Sequence, residues 1–267
     1  MKWGYALILS LIILQFCYMH TFASRPVQFD PRFITAHRGS SATAPENTLP
    51  AIRQAIRDRA GMVEIDVRLT ADGVAVLSHD DNLKRTAGIN LYISRTNYED
   101  LKQIDVSYQF PRRFHDARIP TLEEALAEAK GFLAVNIELK GDPEPRGLAA
   151  EVVRLLESTE MMDDAVVTSF DRSLLEDVRA LTDRLKTGLI IGNSRQLTDD
   201  VFTDAAIDIL SLRASLITPE VMAKARKNNR IVYAWTVNNR QLMKEMVRYQ
   251  VDSIITDRPA MLYSLLR

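Results

Sequence analysis

Two histidines and three acids stand where the strands of a parallel sheet would end. His37 closes the stretch Thr35-Ala36-His37-Arg38-Gly39, and His79 follows Val76-Leu77-Ser78 and precedes Asp80. The other histidines are set aside, because His20 falls in an apolar run and His115 in an irregular stretch. In Val63-Glu64-Ile65-Asp66-Val67, residues two apart share a face, so Glu64 and Asp66 point one way and the aliphatic residues the other. Val135-Asn136-Ile137-Glu138-Leu139-Lys140 repeats the pattern with Asn136, Glu138 and Lys140. Imidazoles suit proton transfer near neutral pH. Two carboxylates about 5 Å apart repel by roughly 3 kcal/mol at an effective dielectric near 20, so something must neutralise the group. Protonation, Lys140 or a divalent cation held by oxygen ligands would each serve. A buried ion-pair network between strand and helix layers is the purely structural alternative. Three acids against one nearby lysine favour the cation.

The elements that would carry these residues recur along the chain. Strand-like apolar runs occupy Phe33–His37, Met62–Val67, Leu133–Lys140, Ala165–Phe170, Thr187–Ile191, Ile207–Leu212, Ile231–Val237 and Ser253–Thr256. Segments with helical spacing lie between them, such as Leu49–Ile52–Ile56 and Leu122–Ala125–Leu126–Ala129. Thr121 with Glu124 fits a capping box, and Thr218-Pro219 places proline at a first helical position. Asp171, Asn238 and Asp257 each follow a strand and precede a helix, which reads as capping. Asn47 is read as a cap before a site residue, Glu46 as a partner of Arg38 or of a metal's outer shell, and Phe170 as packing. Trp235 suits either an apolar wall of a binding site or the core.

Alternating strand and helix implies parallel strands joined by helical crossovers, and eight such units fit an α/β (β/α)8 TIM barrel. No Gly-x-Gly-x-x-Gly follows any strand, which disfavours a dinucleotide-binding open sheet. Val74–Ser78, after the turn signal Asp72-Gly73, reads as either a hairpin arm or a barrel stave. Residues 82–118 interrupt the repeat and are expected to form an insertion over one mouth.

Length, charge and cysteine count bound the function. A chain of 267 residues accommodates one such barrel over 25–267. Lys and Arg total 34 against 35 Asp and Glu, a net charge of −1 that gives no footprint for nucleic acid. Cys17 is the single cysteine, so disulfides and cysteine zinc sites are excluded. Trp3 to Ser24 contains no charged residue, and a bilayer-spanning helix needs roughly 20 apolar residues. Residues 1–24 are thus read as a transmembrane anchor or a signal peptide, with Thr21-Phe22-Ala23 as an imperfect cleavage site. The expected location is a membrane-anchored extracytoplasmic domain, or a secreted one if the leader is cleaved.

Taken in order, His37-Arg38-Gly39, Pro45-Glu46-Asn47-Thr48, Glu64-Ile65-Asp66-Val67, Asp72-Gly73 and His79-Asp80 resemble the glycerophosphodiester phosphodiesterases. Ile119-Pro120-Thr121-Leu122-Glu123-Glu124, Glu138-Leu139-Lys140, Ser169-Phe170, Trp235-Thr236-Val237-Asn238 and Thr256-Asp257-Arg258-Pro259 continue the match. It covers about residues 33–260. The resemblance implies hydrolysis of small-molecule glycerophosphodiesters to sn-glycerol 3-phosphate and an alcohol, with a bound divalent cation, Ca²⁺ or Mg²⁺. Carried over by position, it implies Glu64, Asp66 and Glu138 as metal ligands and His37 and His79 as the acid–base pair. It also implies Arg38 and Lys140 on the phosphate. A phospholipase C- or D-like phosphodiesterase acting on intact lipid and a noncatalytic phosphodiester-binding barrel remain as alternatives.

Overall fold

Short β-branched runs alternate with amphipathic helices, and buried apolar faces draw them into one closed sheet. The computed structural model describes residues 30–110, 113–114, 116–141 and 147–267. The apolar leader at 1–24 and His115 lie outside the described residues. Among the described residues, no helix is long and apolar enough to cross a membrane.

The strands are β1 (Ile34–His37), β2 (Met62–Leu69), β3 (Ala75–Leu77), β4 (Ala134–Leu139), β5 (Ala165–Ser169), β6 (Lys186–Ile191), β7 (Ile209–Arg213), β8 (Ile231–Trp235) and β9 (Ser253–Thr256). Every one but β3 is parallel to its neighbours, and β1 pairs with both β2 and β9, which closes the barrel. This is the (β/α)8 TIM barrel that the alternation predicts. The ambiguous stretch at Val74–Ser78 is a hairpin arm, because β3 pairs antiparallel with β2 through Val67↔Leu77 and Leu69↔Ala75. Gly73, with φ of 81°, makes the turn.

The described residues of 82–118 add no stave. They hold the short helices Lys84–Ala87 and Tyr98–Leu101 over an apolar cluster of Leu83, Ile93, Leu101 and Ile119 with Val76. Asn82 and Tyr92 border the groove that also contains His79, so this segment does flank the mouth.

Capping follows the residue types with three corrections. Thr121 and Glu124 form the predicted box, Thr218 caps Pro219–Lys227, and Asp171 accepts from the Ser173 amide. Thr48, not Asn47, caps Leu49–Arg57. Asn239, not Asn238, caps Arg240–Tyr249, and Asp257 makes no cap on Pro259–Leu266. The three displaced residues turn out to serve the site.

The barrel interior is sorted along its axis. Met62, Ala134, Val166, Ile209, Tyr233 and Ile255 fill the base with apolar contacts. One step further along the same strands stand Glu64, Asn136 and Thr168, so the polar layer lies toward the C-terminal ends. Val63, Ile65 and Val67, with opposite parity, are fully buried beneath the helices.

Candidate active site

Strand register brings the acids together. His37 is paired with Glu64, Glu64 with Asn136, and Asp66 with Glu138. Parallel neighbours in register present their side chains to one face, so residues distant in sequence stand in adjacent layers of one mouth. Single carboxylate oxygens of Glu64, Asp66 and Glu138 lie within 4.8 Å of one another. All three residues are buried.

Each acid has a distinct set of partners. Glu64 Oε2 accepts from the Arg38 amide at 2.9 Å and lies 4.0 Å from His37 Nε2. Asp66 Oδ2 accepts from Asn47 Nδ2 at 2.7 Å, and the Asp66 amide donates to Asn47 Oδ1 at 3.1 Å. Lys140 Nζ is 2.7 Å from Asp66 Oδ1 and also pairs with Glu138. Asp66 Oδ1 thus meets the Lys140 ammonium, whereas Glu64 Oε1 is buried without a hydrogen-bond partner. A buried carboxylate oxygen like Glu64 Oε1 is costly to leave unpartnered unless a cation meets it. Hard oxygen donors suit Ca²⁺ or Mg²⁺, so the three residues fit the divalent ion that the sequence suggests.

Charge balance divides the acids. Burial and the neighbouring Asp66 push the Glu64 carboxyl up to about 8. Burial acts on Asp66 in the same direction, but Lys140 and Arg38 outweigh it and hold Asp66 well below the usual carboxylate range. Glu138 is raised by burial and by Asp66 in spite of Lys140. The group therefore carries less negative charge than three free acids would, until a cation joins it.

Both histidines are pinned through Nδ1. His37 Nδ1 lies 2.6 Å from Asp257 Oδ1, and His79 Nδ1 lies 2.7 Å from Asp80 Oδ1. An Nδ1–H donated to a carboxylate leaves Nε2 as the nitrogen available for proton transfer. The two environments differ. Burial lowers the His37 pKa, but the Asp257 hydrogen bond and Glu64 more than reverse this and raise it. His79 is lowered, chiefly by burial, with Lys140 and Arg38 adding to the effect.

His37, Arg38, Glu64, His79, Glu138 and Trp235 line one hollow of about 120 Å³. Asn136, Thr168, Ser211 and Phe170 complete much of its wall. Lys140 reaches the adjoining open groove, which shares His79, Glu138 and Phe170 with the hollow. Trp235 donates Nε1–H to the Ser211 carbonyl at 2.8 Å and meets Phe170 edge to face at 5.7 Å. It is thus a wall of the cavity, and Phe170, read from sequence as packing, is 48% exposed at the same rim.

All eight residues singled out in the sequence converge on this end of the barrel. Asp257 was missed as a partner of His37 because its position before a helix suggested a cap. Asn238 holds Asp257 instead, donating Nδ2–H to Oδ2 at 2.5 Å and accepting from the Asp257 amide at 2.9 Å. The available signal was barrel closure, since the residue after the last strand must lie beside the end of the first. Glu46 does partner Arg38, accepting from Nη1 at 3.0 Å.

Buried acids, two Asp-bound histidines and an arginine at the C-terminal mouth of a barrel suit a hydrolase that neutralises an anionic substrate and moves protons. Over residues 37–261 the sequence matches the Glycerophosphoryl diester phosphodiesterase family. A glycerophosphodiester phosphodiesterase of Caldanaerobacter subterraneus is 33% identical over 239 residues, which span 88% of this chain and 97% of the relative. An Oleispira antarctica phosphodiesterase, solved in complex with the product sn-glycerol-3-phosphate, superposes with a TM-score of 0.80 at 28% identity. It matches over 87% of this chain and 96% of its own. A Thermotoga maritima glycerophosphodiester phosphodiesterase gives 0.72 at 27% identity, over 87% and 97% of the two chains. The chain belongs to the glycerophosphodiester phosphodiesterase family.

Proposed function

We propose that the protein hydrolyses glycerophosphodiesters to sn-glycerol 3-phosphate and an alcohol, using a divalent cation and the histidines His37 and His79. The observation that carries this reading is the convergence of three buried carboxylates, one with an unpartnered oxygen, and two Asp-pinned imidazoles on one barrel mouth. Relatives named for that activity, and the product seen in the Oleispira structure, support it.

A phosphodiester resists attack because its own charge repels nucleophiles, so a site must neutralise that charge and move protons. Glu64, Asp66 and Glu138 would hold the ion, which supplies Lewis-acid charge neutralisation at the phosphoryl oxygens. Arg38 offers planar guanidinium donors to the phosphate, and Lys140 a point charge. With Nδ1 of each histidine occupied, one Nε2 accepts the proton of the attacking oxygen. The other Nε2 donates a proton to the departing alkoxide as the phosphorus–oxygen bond breaks. Trp235 and Phe170 present apolar edges to the glycerol or alcohol part. In this reading the attacking oxygen is the substrate's own 2-hydroxyl, giving a cyclic phosphate that water then opens. The apolar run from Trp3 to Ser24 carries the domain to or across a membrane, as an anchor or as a cleaved signal.

The test is a substrate panel. Purified protein should release glycerol 3-phosphate from glycerophosphocholine and leave intact phosphatidylcholine unchanged. Release of a phosphorylated head group, turnover of intact lipid alone, or binding without product would contradict the proposal.

A further inference from the structure

Arg85 comes from the segment that interrupts the strand and helix repeat, and the sequence assigns it no part in the site. It sits on the short helix Lys84–Ala87. Its guanidinium makes three hydrogen bonds to two carboxylates. Nε donates to Asp80 Oδ2 at 2.7 Å, while Nη1 and Nη2 donate to Glu46 Oε2 and Oε1, each at 2.7 Å. Both carboxylates also grip a residue of the reaction centre. Asp80 Oδ1 meets His79 Nδ1 at 2.7 Å, and Glu46 Oε1 accepts from Arg38 Nη1 at 3.0 Å.

We propose that Arg85 is a positioning residue for the reaction, whose planar fork sets His79 through Asp80 and Arg38 through Glu46 in one common frame. The inference rests on the proposed function and deepens it. Arg85 is 37% exposed and its partner Glu46 17%, and a bidentate pair in a charge network also adds stability, so turnover and unfolding are measured side by side to separate the two roles. What a fork adds is angle. A guanidinium bound to one carboxylate through two parallel hydrogen bonds, and to a second through its remaining edge, fixes the relative orientation of the two. A lysine at this position would keep the charge but offer no such geometry. Burial pushes the Glu46 carboxyl up, yet Arg85 and Arg38 together hold it below its ordinary value, so it stays an acceptor for both. A segment outside the repeating barrel units thereby reaches the proton-transfer group and the phosphate-binding group at once.

The experiment compares wild type, R85Q, R85K and R85A for kcat and KM on glycerophosphocholine, with thermal unfolding in parallel. For R85Q we expect kcat to fall roughly tenfold to a hundredfold, since misplacement of reacting groups by about an ångström costs that much. KM should rise as well, because Arg38 loses its brace. R85K should recover only part of either loss while unfolding near the wild-type temperature, and millimolar guanidinium ion should raise kcat of R85A. Wild-type kcat and KM in R85Q would overturn the inference, as would R85K equal to wild type, because a point charge would then suffice. Should R85Q and R85A fail to fold, R85K decides alone by the same criterion. An inactive wild type would overturn the functional reading and this inference with it; an active wild type with indifferent variants overturns the inference only.

Discussion

Asp257 Oδ1 sits 2.6 Å from His37 Nδ1 across 220 residues of sequence. Barrel closure brings them together: β1 and β9 pair through Thr35↔Ile255 and Ala36↔Thr256, and the next residue of each strand is one of the two partners. Ser41 Oγ donates to Asp257 Oδ1 at 3.0 Å and Asn238 Nδ2 to Oδ2 at 2.5 Å, so the carboxylate is held on both oxygens.

Replacing Asp257 by Asn removes the carboxylate charge whose hydrogen bond and field help lift the His37 pKa above its ordinary value of 6.5. Burial then acts with less opposition and the pKa falls. In D257N the limb of the pH–rate profile set by His37 should move to lower pH, with kcat reduced about 10–100-fold as for other orienting partners. H37A and H79A should each lose about 10²–10⁴-fold, the usual share of one acid or base. An unmoved profile in D257N would show that the contact does not tune His37.

Glu64 offers a pH test that does not depend on turnover. With the cation removed, its carboxyl is raised from 4.5 to about 8, so the folded protein binds a proton there that the unfolded chain releases. Between those values stability of the chelated protein should fall as pH rises, because the native state binds more protons than the unfolded one. Cation binding requires the ionised carboxylate and should displace that proton near neutral pH. Calorimetry in buffers of different ionisation enthalpy would detect the released proton, and a buffer-independent heat would contradict this picture.

Asn47 is buried, has a φ of 54°, and braces Asp66 with two hydrogen bonds. Asparagine tolerates the left-handed backbone that alanine resists. N47A loses both features and N47G only the bonds, so N47A should be the less stable variant. Leaving the Asp66 carboxylate and amide without this partner costs about 1–3 kcal/mol. Denaturant unfolding of the two variants measures the difference, and equal stability would remove the backbone from the explanation.

Gly39 shows why glycine follows His37-Arg38. Its φ is 80°, and an added Cβ would lie 2.6 Å from both the carbonyl carbon and the Cβ of Ala51 on the helix Leu49–Arg57. G39A must strain the backbone and displace that helix, at a cost of about 2–5 kcal/mol from the two effects together. A thermal shift within a degree of wild type would contradict this.

The barrel was legible in the sequence because buried parallel strands and amphipathic helices have different periods, and the acids stood out as polar breaks in strands expected to be apolar. Strand ends were less so. Ile231–Val237 reads as one apolar run, yet the strand stops at Trp235, since tertiary pairing and not residue type ends it. Capping residues were the systematic misreading. Asn47, Asn238 and Asp257 have the side chains that cap helices and stand before helices, but Asn47 holds Asp66, Asp257 holds His37, and Asn238 holds Asp257. Local preference cannot distinguish those uses, because the deciding partner lies on a strand that is remote in sequence. Arg85 was hidden for a related reason, in a segment without periodicity whose path across the mouth depends on its own small apolar cluster.

The most direct measurement is glycerol 3-phosphate release from glycerophosphocholine by purified protein, before chelation, after it, and after returning Ca²⁺ or Mg²⁺. Activity that disappears with chelator, returns with the ion in wild type, and fails to return in E64Q is the predicted result. Undiminished hydrolysis in chelator, or full recovery by E64Q, would show that the carboxylate cluster at the barrel mouth is not what drives the reaction.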